Sequence, residues 1–399
     1  MNYTKFKGLD ISRLGFGIMR LPLIEPDGPP GGPIDEEQAI ELIRHAYNKG
    51  VNYFDTAFFY HGGESERIIG EALKVFPRDT WYLADKMPGN FMEAVDGKLK
   101  VNMGPNADDA QIFNSPAEVF ETQLKKCGVE YFDFYLLHNF AEVTIDLYTD
   151  EKWGFIDYLI KEKKAGRIKH LGFSTHAGYE CLEKILNMFD CFEFVQIQHN
   201  YIDATLQDGE KKYNLITKHG LSVIIMEPVR GGKLANPGER ATAILKAARP
   251  DASPASWAFR YLQSLPNAAV ILSGMSTVEQ VDENIETFSK DDPMTDADRA
   301  VINQVVESMG DFIPCTSCRY CVSSCPRSLD IPMLLTAYNE AVIEYSWLVE
   351  IMLKKAAEDG GPGACVNCGA CKPLCPQNID IPDVMGKFVA LTEAHKSAE

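Results

Sequence analysis

The sequence predicts an α/β protein in two parts: a (β/α)8 barrel over residues 1–300 and a small, mainly α-helical domain over residues 301–399. Three observations predict it. Between residues 10 and 290, eight short apolar runs alternate with amphipathic helical stretches, which matches the size and rhythm of an eightfold β/α barrel. Each run is apolar throughout, as parallel strands buried on both faces require. Beyond residue 314 that rhythm stops, and eight of the eleven cysteines gather into two copies of one spacing.

The runs that read as strands are Leu14–Met19, Asn52–Thr56, Trp81–Lys86, Phe132–His138, Lys169–Ser174, Phe194–His199, Leu221–Glu227 and Ala269–Gly274. Helical patterns lie between them, for example Glu36–Lys49, Glu66–Val75, Pro116–Lys126 and Gly154–Ala165. A doubly wound open sheet is the alternative, and the missing Gly-x-Gly-x-x-Gly turn counts against it. The stretches Lys86–Ser115 and Asn139–Trp153 read as long loops walling a pocket. They carry Phe91, Met92, Met103, Phe113, Tyr148 and Trp153, which suit either an apolar substrate or the packing of a lid.

Composition narrows the function. Apolar residues make up 45% of the 399, enough for a sizeable core and too many for disorder. A formal net charge of −18 repels nucleic acid and anionic lipid, so neither is expected as a partner. No apolar run approaches the roughly 20 residues of a membrane helix, and Met1–Asp10 has no signal-peptide core. A cytoplasmic protein is expected, in which cysteines serve as metal ligands or free thiols. Cys127, Cys181 and Cys191 sit singly in apolar stretches and read as buried free thiols.

The remaining eight form Cys315-Thr-Ser-Cys318-Arg-Tyr-Cys321-Val-Ser-Ser-Cys325-Pro326 and Cys365-Val-Asn-Cys368-Gly-Ala-Cys371-Lys-Pro-Leu-Cys375-Pro376. Two-residue spacers let three thiolates converge on one 4Fe–4S cluster, and in bacterial two-cluster ferredoxins the fourth cysteine ligates the other cluster. A pair of zinc sites would use two separated cysteine pairs and has no need of a triple followed by Cys-Pro. Asp330-Ile331-Pro332 and Asp380-Ile381-Pro382 follow at the same offset, each proline suiting the first turn of a helix. Residues 333–358 read as helix, with Leu334, Leu335, Tyr338, Val342, Tyr345, Leu348, Val349 and Met352 at three-to-four spacing. This region resembles the α-helical type of ferredoxin domain.

In a β/α barrel the chemistry sits where strands end. Those ends are Asp55, Lys86, His138, Ser174, Gln196, Glu227 and Gly274, with Tyr60 on the loop after Asp55. An acid, a lysine, a histidine and a tyrosine on neighbouring strand ends form a proton-transfer set. Taken singly, Asp55 suits a cap, Tyr60 a loop aromatic and His138 a core histidine. Lys86 is hardest to set aside, because an unpaired buried ammonium is costly.

At this point the sequence resembles the aldo-keto reductase family. The resemblance runs through Phe54-Asp55-Thr56-Ala57-x-x-Tyr60, Ser65-Glu66, Ala84-Asp85-Lys86, Asp133-x-Tyr135-Leu136-Leu137-His138, Lys164-Ala165-Gly166-x-Ile168-x-x-Leu171-Gly172-Phe173-Ser174 and Glu283-Asn284. The whole chain looks like the branch of that family with an appended ferredoxin-like domain. The resemblance implies that Tyr60 is the general acid, tuned by Lys86, with Asp55 holding Lys86 charged and His138 fixing the carbonyl oxygen. It implies that Ser174 and Gln196 hold a nicotinamide carboxamide. Glu227, Pro228, Arg230, Gly231, Gly232 and Lys233 match the loop over the pyrophosphate, where Arg230 and Lys233 supply charge. Ser273, Gly274, Gln280 and Asn284 match the stretch that grips the adenosine end.

Two departures bear on the cofactor. Met226 stands where many family members stack an aromatic on nicotinamide, and Gly274 and Gln280 stand where basic residues meet the 2′-phosphate. NAD, NADP and a flavin therefore all stay open. Clusters pass single electrons whereas nicotinamide moves a hydride, so direct exchange between them needs a one-electron mediator. The leading expectation is nicotinamide-dependent reduction of a small-molecule carbonyl, or oxidation of an alcohol, beside two 4Fe–4S clusters. The rival is a flavin-binding electron-transfer enzyme or subunit, working with a redox partner protein. A third reading, an electron carrier with the barrel as a docking scaffold, is opposed by the tetrad.

Overall fold

A computed structural model of the chain describes residues 1–25, 32–102, 110–310, 312–313, 315, 320–343, 345, 347–356, 360–375 and 377–397. The chain divides into two compact units, residues 1–236 with 251–299, and residues 237–250 with 300–399. The segment 237–250 thus groups with the C-terminal residues rather than with the barrel around it in sequence.

The first unit is an eight-stranded closed parallel barrel. Its strands are β3 (Leu14–Gly17), β4 (Tyr53–Asp55), β5 (Tyr82–Met87), β9 (Phe132–Leu137), β10 (Ile168–Thr175), β11 (Phe194–Gln198), β12 (Ser222–Met226) and β13 (Ala268–Gly274), and β13 pairs with β3 to close the ring. Side chains alternate between two buried environments along each strand. In β12, Ile224 joins the interior cluster with Tyr53, Phe134 and Phe194, while Val223 and Ile225 join the layer under the helices. Burial on both sides explains the unbroken apolar runs.

The surrounding helices are α1 (Glu36–Asn48), α2 (Ser65–Leu73), α3 (Pro116–Cys127), α4 (Ile145–Thr149), α5 (Phe155–Lys164), α6 (Tyr179–Met188), α7 (Asp203–Leu206), α8 (Gly209–Lys218), α10 (Pro254–Gln263) and α11 (Val278–Ser289). Their ends follow local chemistry. Asp35 caps α1, Ser115 followed by Pro116 opens α3, and left-handed Gly128 closes it.

Two features go beyond the sequence reading. The opening residues form a hairpin, β1 (Tyr3–Phe6) and β2 (Leu9–Ser12), turning at Lys7 and Gly8, both at positive φ. Its Phe6 packs against Phe134 and Phe194, with ring centroids 5.2 and 6.1 Å away. The stretch after β5, expected as a loop, holds an antiparallel sheet of β6 (Met92–Val95), β7 (Lys98–Val101) and β8 (Gln111–Phe113). Asp96 and Gly97, at φ 50° and 74°, make its first turn. Of the residues expected to wall the pocket, Met92, Phe113 and Tyr148 are buried. Met103 lies outside the described residues.

The second unit contains α9 (Glu239–Ala248), most of α12 (Asp296–Ser308), α13 (Ile331–Ile343), α14 (Trp347–Ala356) and α15 (Ile381–Lys396). Pro332 and Pro382 fall in the first turns of α13 and α15, as expected. The single helix expected over 333–358 is two helices: Tyr345 lies between them, its ring stacked on His395 at 3.9 Å. Residues 357 and 358 lie outside the described residues. Leu334, Leu335, Tyr338, Val384, Met385 and Phe388 form this unit's core together with Cys321 and Cys371.

Candidate functional site

The four residues of the expected proton-transfer set meet at the C-terminal ends of β4, β5 and β9. Lys86 is 1% exposed and Asp55 3%. The Lys86 ammonium has three N–H donors and finds three acceptors: Asp55 Oδ1 at 2.6 Å, the Thr56 carbonyl at 2.6 Å and the Tyr60 hydroxyl at 3.4 Å. Tyr60 comes within reach because Tyr60–Gly63 is a tight turn whose His61 and Gly62 sit at positive φ. Since the Tyr60 oxygen accepts from Lys86, its own proton remains available to donate.

The electrostatics follow from burial and these contacts. Burial pushes the Tyr60 phenol above its ordinary range; Lys86 pulls it down, and Asp55 works the other way. Burial also opposes charge on Lys86, yet Asp55 and Tyr60 outweigh it and hold the ammonium above its usual value. His138 is pushed well below the usual imidazole range by burial, then by Lys86 and His176, so it is neutral at pH 7. Its Nδ1 is buried without a hydrogen-bond partner among the described residues. The Phe59 ring stacks on it at 5.1 Å and 20°.

A network missed by the sequence reading holds Lys86 from behind. Asp85 Oδ1 accepts the Lys86 amide at 2.8 Å, and Gln123 Nε2 donates to the Lys86 carbonyl at 3.0 Å and to Glu66 Oε1 at 3.1 Å. Tyr135 donates to Gln123 Oε1 at 2.5 Å. Burial, then the neighbouring Glu66, pushes the Asp85 carboxyl well above its ordinary range. Tyr148 likewise ties loop to barrel, its hydroxyl bonded to the Gly89 amide and to the Met87 and His138 carbonyls at 2.7–2.9 Å.

The expected cofactor residues are distributed around the same mouth, several of them already engaged. Gln196 Nε2 donates to Asp55 Oδ2 at 3.0 Å, and Ser174 Oγ accepts the Asn139 amide at 2.9 Å. Met226 ends β12, and Pro228 follows Glu227, which is at φ 55° and whose carboxylate accepts the Gly231 amide at 2.7 Å. Arg230 turns its Nε onto the fully buried Asp203, 3.1 and 3.3 Å from its two oxygens. Gly232 is at φ 103°, and Lys233 is half-buried. Ser273 Oγ accepts from Asn284 at 3.2 Å, and Gln280 folds back on its own helix to accept the Ser276 amide at 2.8 Å. Arg20 was not anticipated. A Cβ on Gly274 would stand 3.2–3.3 Å from its aliphatic stem, and one on Gly231 would stand 3.3 Å from its Nη2. Bare glycines facing a cation, Gly231 in the loop after β12 and Gly274 at the end of β13, lie where barrels commonly bind phosphate and fit a dinucleotide.

In the second unit, Cys325 lines one cavity with Cys365, Cys368 and Cys371, beside Leu329, Ile331 and Met385. Four thiols in one apolar-walled recess fit a 4Fe–4S cluster, and they combine the last cysteine of one run with the first three of the other. Cys321 is buried, and Cys315 and Cys375 are half-buried. Cys318 lies outside the described residues. Of the three lone cysteines, Cys127 is buried as expected, whereas Cys181, in α6, and Cys191, beyond its end, are only half-buried and pack at the margin of the barrel's core.

Comparison with known proteins agrees with both halves. A family model described as the aldo/keto reductase family matches residues 13–307, and one described as a 4Fe-4S dicluster domain matches residues 314–381. A probable aldo-keto reductase 1 of Glycine max is 33% identical over 42% of this chain, an alignment that spans only 42% of the soybean protein. L-galactose dehydrogenase of Arabidopsis thaliana is 26% identical over 71% of this chain and 86% of its own length. Among solved structures, the holo form of aldo-keto reductase AKR11C1 from Bacillus halodurans superposes with a TM-score of 0.57 at 25% identity, covering 75% of this chain and 93% of that one.

Proposed function

The chain belongs to the aldo/keto reductase family and carries a 4Fe-4S dicluster domain, and from that premise we propose that it reduces a small-molecule carbonyl with a nicotinamide cofactor, Tyr60 donating the proton. One observation carries this reading: the buried Lys86 ammonium joined at once to Asp55 and to the Tyr60 hydroxyl. When bound, the nicotinamide supplies a hydride to the carbonyl carbon and is itself oxidised. The chain's residues manage the other half of the reaction. Tyr60 releases its proton to the carbonyl oxygen, completing the alcohol, and Lys86 stabilises the phenolate left behind. Neutral His138 fixes that oxygen with a hydrogen bond and adds no charge of its own. Run backwards, the same groups oxidise an alcohol.

The eight cysteines hold two 4Fe–4S clusters, which pass single electrons. Their presence favours the rival reading, in which the barrel binds a flavin and a redox partner protein exchanges electrons through the clusters. We place the protein in the cytoplasm; no helix among the described residues is long and apolar enough to cross a membrane.

Tyr60→Phe separates the two readings. Carbonyl reduction should fall by about two to four orders of magnitude, the usual worth of a positioned acid. Reduction of a one-electron acceptor by the same sample should be almost unchanged under the flavin reading. Full carbonyl reductase activity in the variant would remove the tetrad from the account and leave the barrel as a binding scaffold.

A further inference from the structure

The two cysteine runs continue into turns of the same shape. Ser328 and Asn378, at the same offset from the last cysteine of each run, both sit at positive φ, 53° and 54°. The Ser328 amide donates to the Cys325 carbonyl at 3.0 Å, and the Asn378 amide to the Cys375 carbonyl at 3.1 Å. Further on, Ile331 donates to the Leu329 carbonyl at 2.8 Å and Ile381 to that of Ile379 at 2.9 Å. Within these matched turns one position differs in charge: Arg327 in the first copy is Gln377 in the second.

Arg327 lines the recess that gathers Cys325, Cys365, Cys368 and Cys371. The residue is exposed, and its guanidinium has no hydrogen-bond, ion-pair or ring partner among the described residues. Lys372, the residue after Cys371, is paired with Asp380 at 2.6 Å, so its charge is largely cancelled. Much of the remaining wall is apolar, with Leu329, Ile331 and Met385. An uncancelled positive charge beside such a wall favours whichever state of the recess carries more negative charge.

We infer that Arg327 sets the reduction potential of the 4Fe–4S cluster held by Cys325, Cys365, Cys368 and Cys371, raising it above what the four thiolates alone would give. The step rests on the cluster reading above. Arg327 is a tuning residue and not a ligand: reduction adds one electron to the recess, no bond to the chain forms or breaks, and the cation stabilises the reduced form by attraction alone. Gln377 takes the same place after Cys375 and brings no charge, so this side chain serves one cluster of the two.

The test is a potentiometric titration of full-length, anaerobically purified protein, read by electron paramagnetic resonance. Dithionite is the reductant, and one electron passes from a mediating dye, which is oxidised, to the cluster. The signal that Cys325→Ser alters identifies the cluster in question. A unit charge about 10 Å away shifts an equilibrium about twofold through bulk water and by about an order of magnitude at an effective dielectric of about 20. In Arg327→Gln the ratio of reduced to oxidised cluster at a fixed potential should therefore fall about three- to tenfold, tenfold being about 59 mV for a one-electron couple. Arg327→Lys keeps the charge and should restore most of the loss. Added salt should narrow the gap between wild type and Arg327→Gln, because the side chain is exposed. Equal potentials in wild type and Arg327→Gln overturn the assignment. An equal drop at both clusters overturns it too, by marking a change of structure. If Arg327→Gln fails to hold iron, Gln377→Arg carries the test: it should raise the potential of the other cluster by a like factor, and an unmoved potential there overturns the assignment. Wild-type protein with neither iron nor a cluster signal has a different signature: the cluster reading itself fails and the Arg327 assignment with it.

Discussion

Lys86 is held on every side: three acceptors for its ammonium, Asp85 on its amide and Gln123 on its carbonyl. Replacing it with Met removes the one group that pulls the Tyr60 phenol down while burial, which pushes it up, remains. The phenol of Lys86→Met therefore holds its proton to still higher pH. Turnover should drop, and the alkaline fall of the residual rate should move to higher pH than in wild type, a shift read from the pH profile of single-turnover reduction. An unmoved alkaline limb would show that Lys86 does not tune Tyr60. The same variant leaves Asp55 buried without its cation, at about 3–5 kcal/mol of stability, which Asp55→Asn in the same chain should partly restore in urea unfolding. At this scale the sequence was informative where chemistry repeats a local spacing, as from Asp55 to Tyr60. It was silent on Arg20 and Gln123, because the groups they face, Gly231, Gly274 and the Lys86 backbone, are remote in sequence and are brought close only by barrel closure.

Among elements, the parallel strands were legible because burial on both faces leaves an unbroken apolar signature. The small sheet after β5 was not, since its strands are half exposed and one edge is short; the Asp96-Gly97 pair was the local sign of a tight hairpin turn. The break between α13 and α14 was hidden by apolar spacing that continues through Tyr345. Helix packing yields a sharper expectation at Gly70 in α2. A Cβ there would stand 2.4 Å from the Cys127 carbonyl oxygen and 2.8 Å from its carbon, both backbone atoms of α3 that cannot rotate away. Gly70→Ala should therefore destabilise the barrel by about 1–3 kcal/mol through overpacking. That outweighs the gain of up to about 1 kcal/mol that alanine brings to a helix. Urea unfolding measures the balance, and a variant as stable as wild type would mean that α2 and α3 separate easily.

For the whole molecule, two units with separate cores imply separable losses. Iron should approach about eight per chain in anaerobically purified protein, and zinc in its place would refute the cluster assignment. Cys325→Ser should damage the cluster formed with Cys365, Cys368 and Cys371, although Cys325 belongs to the other run in sequence. Electron paramagnetic resonance of the reduced variant distinguishes that outcome from loss of the nearer cluster. The shared recess also sets a timetable for biosynthesis. Cys325 leaves the ribosome 40 residues ahead of Cys365, a wait of roughly 2–8 s at ordinary elongation rates. During that interval the nascent chain displays the thiol of Cys325 without the three that line the recess with it. On the ligand set proposed here, the recess cannot be filled before Cys365, Cys368 and Cys371 have emerged, and a ribosome stalled in α14 would release a product with no complete set of four ligands for this recess.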